Sequence, residues 1–102
     1  MHAIQTPESF TRLMGCTSAE LLGWLERALP GAQLELDTSA AGCVARFADG
    51  ALALSWRTLP PQRIALLAIP RLEVTFRYQR LSPERRQQVQ RRFDLATQRG
   101  GG

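Results

Sequence analysis

Apolar side chains near the N-terminus recur at the three- and four-residue spacing of an amphipathic helix. Phe10, Leu13 and Met14 follow that spacing, and Gly15 comes directly after them. Thr6-Pro7 precedes them, and a hydroxyl residue followed by proline is typical of a helix start because proline has a helical φ and no amide to leave unpaired. The pattern therefore predicts a first helix over residues 6–14.

A second stripe of apolar residues predicts another helix, from about residue 18 to residue 29. Thr17 and Glu20 stand three positions apart at its start, which is the spacing of a capping box. Pro30-Gly31 follows the last apolar position and is expected to end the helix. We expect the two helices to form a helical hairpin that covers a sheet. The stripe comprises Leu21, Leu25, Ala28 and Leu29, widened by Leu22 and Trp24.

From residue 32 onward the period changes to two, which is typical of strands. Leu34 and Leu36 alternate with polar residues in a short predicted strand over residues 33–37. Asp49-Gly50 then favours a two-residue type I′ turn, because both central positions of that turn need a positive φ. The turn predicts three cross-strand pairs on one sheet face, namely Phe47 with Leu52, Ala45 with Leu54, and Cys43 with Trp56.

The other face of this hairpin carries small side chains and little charge. A face turned to solvent usually carries more charge, so we expect a helix to cover part of it. The alternative is a shallow contact surface. The residues of this face are Val44, Arg46, Ala48, Ala51, Ala53 and Ser55.

The chain between residues 58 and 79 contains one ambiguous segment and one clear strand. Residues 58–62 hold two prolines and are predicted to form a connection. Residues 64–69 fit either a strand or a helical turn, and we favour a short edge strand that bends at Pro70. Residues 71–79 alternate strictly, and the predicted inward positions are Leu72, Val74, Phe76 and Tyr78.

The last helix is predicted to begin at Ser82-Pro83-Glu84 and to run to about Gln98, with Val89, Phe93 and Ala96 buried. The whole chain, residues 1–102, is therefore expected to be one α+β domain, with residues 100–102 as a flexible glycine tail. Its expected antiparallel sheet has four to five strands, packed by an N-terminal helix pair and one C-terminal helix. The predicted order is α-α-β-β-β-β-β-α.

Composition limits the classes of function. The chain has 102 residues, a net charge of +4 and 44% hydrophobic residues, which fits one ordinary globular domain and excludes a two-domain enzyme or a repeat array. Cys16 and Cys43 lack the spacing of a zinc site, and the one histidine, His2, is at the terminus. No phosphate-binding loop, hydrolase motif or dinucleotide fingerprint occurs. We expect a non-enzymatic protein without cofactor or metal.

The sequence also favours one cellular location for the protein. Its N-terminus lacks the basic and apolar regions of a secretory signal, and its longest uncharged apolar run is far shorter than the roughly 20 residues of a membrane helix. We therefore expect a cytoplasmic protein that makes no membrane contact.

Charge is unevenly distributed. All 13 basic residues are arginines, and ten of them lie in residues 53–102 with only three acids. On the last helix Arg85, Arg92 and Arg99 fall within about 40° of one another around the helix axis, with Gln88 beside them. Asp94 lies on the other side of that helix, where it can meet Arg91 at i, i+3. The candidate anion-binding residues are Arg71, Arg77, Arg80, Arg85, Gln88, Arg92 and Arg99.

These features favour a binding or adaptor module with an arginine-rich surface for an acidic partner, either a nucleic acid or an acidic protein. A solvated or internally paired basic face is the alternative, since arginine usage also follows base composition. A structural or oligomerisation protein is a second class of function, with Val44, Ala48, Ala51 and Ala53 as its association face. The terminal Gly100-Gly101-Gly102 suggests a third hypothesis, an activity of the Gly-Gly end.

Overall fold

The computed structural model describes residues 6–37 and 39–98. In this part of the chain, five strands form one antiparallel sheet with the spatial order β1-β5-β4-β3-β2. The α+β class and the antiparallel sheet are confirmed, but the N-terminal helix pair is wrong, because one helix precedes β2 and the other follows β5. The elements are β1 (Ser9–Met14), α1 (Ser18–Ala28), β2 (Gln33–Asp37), β3 (Gly42–Arg46), β4 (Ala51–Ile64), β5 (Leu67–Gln79) and α2 (Pro83–Thr97).

The predicted first helix is instead the edge strand β1. Phe10, Arg12 and Met14 are partly buried and alternate with exposed residues, so the segment also has a period of two. The strand pairs with β5, where the ring of Phe10 stacks on that of Phe76 with centroids 4.7 Å apart. Pairing with a sheet edge satisfies the backbone and buries Phe10, and this outweighs a weak local preference for helix.

Helix α1 has the predicted capping box. The Glu20 backbone amide donates to Thr17 Oγ1 at 3.1 Å, and the Thr17 amide donates to Glu20 Oε1 at 2.9 Å. The buried side of the helix carries Leu21, Leu25 and Ala28, as predicted. The start and the buried stripe of α1 therefore follow from interactions within four residues of one another.

The β3–β4 hairpin has a different register from the predicted one. Ala45 lies opposite Leu52, and Cys43 lies opposite Leu54, so the loop spans residues 47–50 and the predicted type I′ turn is wrong. The shift is two residues, and therefore the same side chains still face the core. Gly50 is needed for close approach, because a Cβ there would lie 2.3 Å from the carbonyl oxygen of Gln79.

Strands β4 and β5 form a hairpin much longer than predicted. Residues 58–62 are part of β4 and not a connection, with an irregularity in the register at the two prolines between Leu59 and Gln62. Residues 64–69 do not form one edge strand, because the chain turns at Ala65-Leu66 and Ile64 pairs with Leu67. Ala65 takes the left-handed φ of 55° that this two-residue loop needs.

The two helices pack on one face of the sheet. Their apolar side chains share one core with the inward residues of β3, β4 and β5, and Phe76 meets Phe93 of α2 edge-on at 5.1 Å. Trp56 donates from Nε1 to Ser18 Oγ at 2.9 Å and so joins β4 to α1. The sheet residues in this core are Cys43, Ala45, Leu52, Leu54, Trp56, Leu72, Val74, Phe76 and Tyr78.

The opposite face of the sheet, called the open face below, is not packed by either helix of the described chain. The expectation that a helix covers part of it is therefore wrong. Val44, Ala51 and Ala53 lie on the open face, whereas Ala48 lies in the β3–β4 loop. Direct cross-strand pairing aligns its central rows as Glu35, Val44, Ala53, Arg77 and Ser9, and as Asp37, Gly42, Ser55, Thr75 and Thr11.

Candidate functional site

Helix α2 positions most of the arginines predicted to bind an anion. Ser82 caps its N-terminus by accepting a hydrogen bond from the Arg85 amide at 3.1 Å, and Pro83 is the first helical residue, as predicted. Val89 and Phe93 are buried in the core, and Ala96 packs against it. Anchoring this apolar side leaves the arginine-bearing sides of the helix outside the core.

An open groove of about 640 Å³ lies between α2 and the end of α1. Arg85, Arg91 and Arg92 line it, and Leu95 beside them is 62% exposed. No acidic residue of the described chain is among the groove's lining residues. The remaining lining residues are Ala28, Leu29, Pro30, Gly31, Phe47, Gln88 and Val89.

Arg85 is already held by partners within the chain. Its Nε donates to Asp49 Oδ2 at 2.9 Å, and its Nη1 donates to Gln88 Oε1 at 3.3 Å. The guanidinium carbon lies 5.3 Å from the centroid of the Phe47 ring, which is a cation–π distance. The hydrogen bond from Arg85 lowers the pKa of Asp49. Arg85 is therefore oriented at the groove, but one carboxylate already satisfies part of it.

Arg91 and Arg92 are both exposed, and neither side chain forms an ion pair or hydrogen bond with another residue of the described chain. The predicted pair of Arg91 with Asp94 is not formed, because Asp94 Oδ1 accepts from Arg12 Nη1 of β1 at 2.7 Å. Residues 6–37 and 39–98 thus leave two guanidiniums of the groove available to an anion.

The structure separates the predicted site residues. Arg85, Gln88 and Arg92 meet in the groove. Arg71 and Arg77 lie on the open face, on the side of the sheet away from α2, and Arg71 donates from Nε to the carbonyl oxygen of Pro60 at 3.0 Å. The other two positions are Arg80, exposed just after β5 with a φ of 64°, and Arg99, which is outside the described residues.

Arg91 also lines the groove, although it is not among the candidate anion-binding residues that the sequence predicts. At 100° per residue it lies about 40° beyond Leu95 and about 60° beyond Gln88 on the helical wheel. The position of Arg91 on α2 follows from the sequence. That this side of α2 forms a wall of the groove depends on the placement of α1 beside it.

The described part of the chain offers little support for a metal site, a reactive cysteine or a membrane-spanning helix. No group of three or more His, Cys, Asp or Glu residues is placed to hold a metal ion within residues 6–37 and 39–98. Cys16 and Cys43 are both buried, and burial raises the pKa of the Cys43 thiol. Neither helix in these ranges has the length and apolar character of a membrane span. His2 and the terminal glycines are outside the described residues.

No known protein family matches the sequence, and no curated protein sequence is significantly similar to it.

Proposed function

We propose that the protein is a non-enzymatic binding module that holds an acidic protein segment in the groove between α1 and α2. The single observation that supports this proposal is the groove lining, in which Arg85, Arg91 and Arg92 stand beside exposed apolar side chains and no described acidic residue lines the groove.

The charge of the groove favours a carboxylate ligand. Each guanidinium presents a planar set of donors that matches the two oxygens of a carboxylate. Because Arg91 and Arg92 have no partner among the residues that the structure describes, a ligand carboxylate would not have to displace an existing ion pair there. Arg85 would then act as a third, partly occupied cation.

The apolar part of the groove favours a protein segment over a nucleic acid. Leu95, which is 62% exposed, and the exposed Pro30 line the groove and suit aliphatic side chains, whereas Leu29 and Val89 in the same lining are buried. Phe47 is the one aromatic residue of the lining, and the guanidinium of Arg85 lies over its ring, where a base would have to stack. Arg71 and Arg77 lie on the other side of the sheet and do not extend the groove into a track for a phosphate backbone.

Fluorescence anisotropy of the full chain with labelled probes tests the proposal. The probes are a short fluorescein-labelled peptide that alternates Glu and Leu, a mixed-sequence single-stranded RNA and a mixed-sequence DNA duplex, all at low salt. The variant is Arg92→Glu. The matched control is Arg63→Glu, because Arg63 is an exposed arginine near the tip of the β4–β5 hairpin, outside the groove.

We expect the peptide to bind and Arg92→Glu to weaken its Kd about tenfold, equivalent to about 1.4 kcal/mol, while Arg63→Glu changes it less than twofold. Equal losses in both variants would indicate attraction by overall charge and would overturn a groove site. Tighter binding of RNA or DNA than of the peptide would replace the acidic segment by a nucleic acid. Absence of binding to all three probes would remove the proposal.

A further inference from the structure

The β4–β5 hairpin extends beyond the rest of the sheet. Strand β3 ends opposite Ser55, and β1 ends opposite Leu72. Within the part of the chain that the structure describes, residues 59–71, called the arm below, therefore form a two-stranded ribbon without a neighbouring strand. All residues from 60 to 68 are exposed, and Leu66 at the turn is fully so. A two-stranded hairpin alone in water is only marginally stable, so an arm of this length needs a covering surface.

The apolar side chains of the arm continue the open face. The register places Leu59 with Arg71, Gln62 with Ile69, and Ile64 with Leu67 on the side that faces away from the helices. Ile64 is 51% exposed and Leu67 is 65% exposed. Next to the arm, Leu13 of β1 lies opposite Glu73 on the same face and is 60% exposed. One continuous surface therefore runs from the centre of the sheet to the tip of the arm.

The edges of the arm are unsuited to pairing with another strand. Pro60 and Pro61 lack backbone N–H groups in β4, and Pro70 lacks one in β5, so the arm has three fewer donors for a further strand. Prolines at exposed edges are a common protection against edge-to-edge association. The surface that the arm offers to a partner is therefore its apolar side and not its backbone.

We propose that two copies of this chain associate through their open faces, with the arm of each copy lying across the sheet of the other. This interface is separate from the groove between α1 and α2. Near the centre of the open face Val44 and Ala53 have short side chains between those of Glu35 and Arg77, so leucine and isoleucine side chains of a second arm can approach the sheet there.

The charge of the open face fits a second copy. The face carries four arginines and three acids, and two pairs already form within the chain, Arg46 with Glu35 and Arg57 with Glu73. Because the charges are mixed and nearly balanced, two identical faces can meet without strong repulsion. The remaining charged residues of the face are Asp37, Arg71 and Arg77.

The size of the surface is also adequate. Five strands spaced about 4.8 Å apart give a sheet about 24 Å wide, and the arm adds roughly 20 Å of length at 3.3 Å per residue. Such a footprint is on the scale of the about 800 Å² per partner that stable interfaces bury. A two-fold axis would place each arm on the equivalent surface of its partner.

Light scattering after size exclusion, over a range of concentrations of the full chain, tests this interface. Ile64→Thr with Leu67→Thr removes two apolar side chains of the arm and places a β-branched residue, which favours strands, at both positions. Ala53→Glu independently places a charge at the centre of the open face. The matched control is Leu36→Thr, because Leu36 is a strand residue that is 58% exposed but lies on the other face of the sheet.

We expect the wild-type chain and Leu36→Thr to have the mass of two chains, and both interface variants to have the mass of one, with unchanged circular dichroism. A wild-type monomer at the highest concentration would overturn the proposal. A dimer that persists in both interface variants would also overturn it. Binding of a monomeric wild type to phosphatidylserine vesicles, lost in the arm variant, would identify a lipid surface in place of the second copy. None of these outcomes bears on peptide binding in the groove.

Discussion

Asp94 of α2 accepts a hydrogen bond from Arg12 of the edge strand β1, with Asp94 Oδ1 2.7 Å from Arg12 Nη1. The same carboxylate oxygen accepts from Gln90 Nε2 at 2.9 Å, and the Tyr78 hydroxyl donates to Gln90 Oε1 at 2.7 Å. This chain of contacts joins β1, β5 and α2, and it fixes the position of an edge strand that local sequence would have made a helix. Because Asp94 binds Arg12 and not Arg91, Arg91 has no ion-pair partner among the described residues and remains available in the groove.

Removal of the Asp94 carboxylate is expected to destabilise the fold. Asp94→Ala breaks the bond to Arg12 and leaves the amide group of the buried Gln90 without its partner. Because both members of the ion pair are partly exposed, we expect a loss of about 1–2 kcal/mol in the free energy of unfolding. Urea denaturation measures it. The control Glu26→Ala removes an exposed carboxylate of α1 and should change stability by less than about 0.5 kcal/mol, and equal effects would contradict the role of the network.

The buried hydroxyl of Tyr78 is expected to lower the free energy of unfolding at alkaline pH. Burial, together with the negative charge of Asp94, raises the pKa of its hydroxyl far above the ordinary value of about 10. The unfolded chain releases this proton near pH 10 while the folded chain keeps it, so the stability contribution is complete below pH 10 and falls as the pH rises further. Tyr78 is the only tyrosine, so phenolate absorbance reports it alone.

We expect that absorbance to appear together with unfolding and not before it. Thermal unfolding between pH 8 and pH 11 is the second measurement, and Tyr78→Phe should reduce its dependence on pH. Ionisation of the tyrosine near pH 10 in a chain that is still folded would contradict the buried hydrogen bond.

Asp49 and an incoming ligand are expected to compete for Arg85. Asp49→Asn removes the charge that holds Arg85 Nε, so the guanidinium can turn to a ligand carboxylate. We expect the Kd for the Glu-Leu peptide to improve about two- to fivefold, as measured by fluorescence anisotropy, since a surface ion pair contributes up to about 1 kcal/mol. Asp37→Asn makes the same charge change on β2, outside the groove. An equal improvement in that control would show that net charge alone is responsible.

Substitution by alanine is expected to change the free energy of unfolding in opposite directions at two glycines. Gly50→Ala forces a Cβ to within 2.3 Å of the Gln79 carbonyl oxygen, and we expect a loss of about 2 kcal/mol or more in the free energy of unfolding. Gly23 lies in α1 with no atom within 4 Å of a Cβ placed there, so Gly23→Ala should stabilise the helix by about 0.5–1 kcal/mol. Urea denaturation of both variants distinguishes them. A neutral Gly50→Ala would contradict the close approach of β5 to this loop.

Elements whose start or buried side depends on neighbouring residues could be predicted from the amino-acid sequence. The capping box of Thr17 and Glu20 predicted the start of α1, and Ser82-Pro83 predicted the start of α2. The alternation in residues 72–78 predicted the inward side of β5. In each case the deciding interaction lies within about four residues along the chain, or within the regular period of one element, and so it can be recognised without knowing the fold.

Features that depend on residues distant along the chain could not be predicted before the fold was known. The segment at Phe10 fits both a helical and a strand period, and it became β1 because the edge of β5 was available. The β3–β4 register could slip by two residues without moving any side chain to the other face, so burial alone did not select it. Likewise, the ambiguous apolar segment of residues 64–69 did not show that the chain continues beyond Leu59 into a paired arm.

The candidate site likewise has a part that local spacing predicted and a part that depends on residues distant along the chain. A helical wheel brought Arg85, Gln88 and Arg92 to one side of α2, because their spacing is a property of one helix. It could not separate Arg71 and Arg77 from them, since that separation depends on which face of the sheet the helix covers. Nor could it show that Arg12 takes the carboxylate of Asp94, because the two residues are 82 positions apart and meet only when β1 joins the sheet beneath α2.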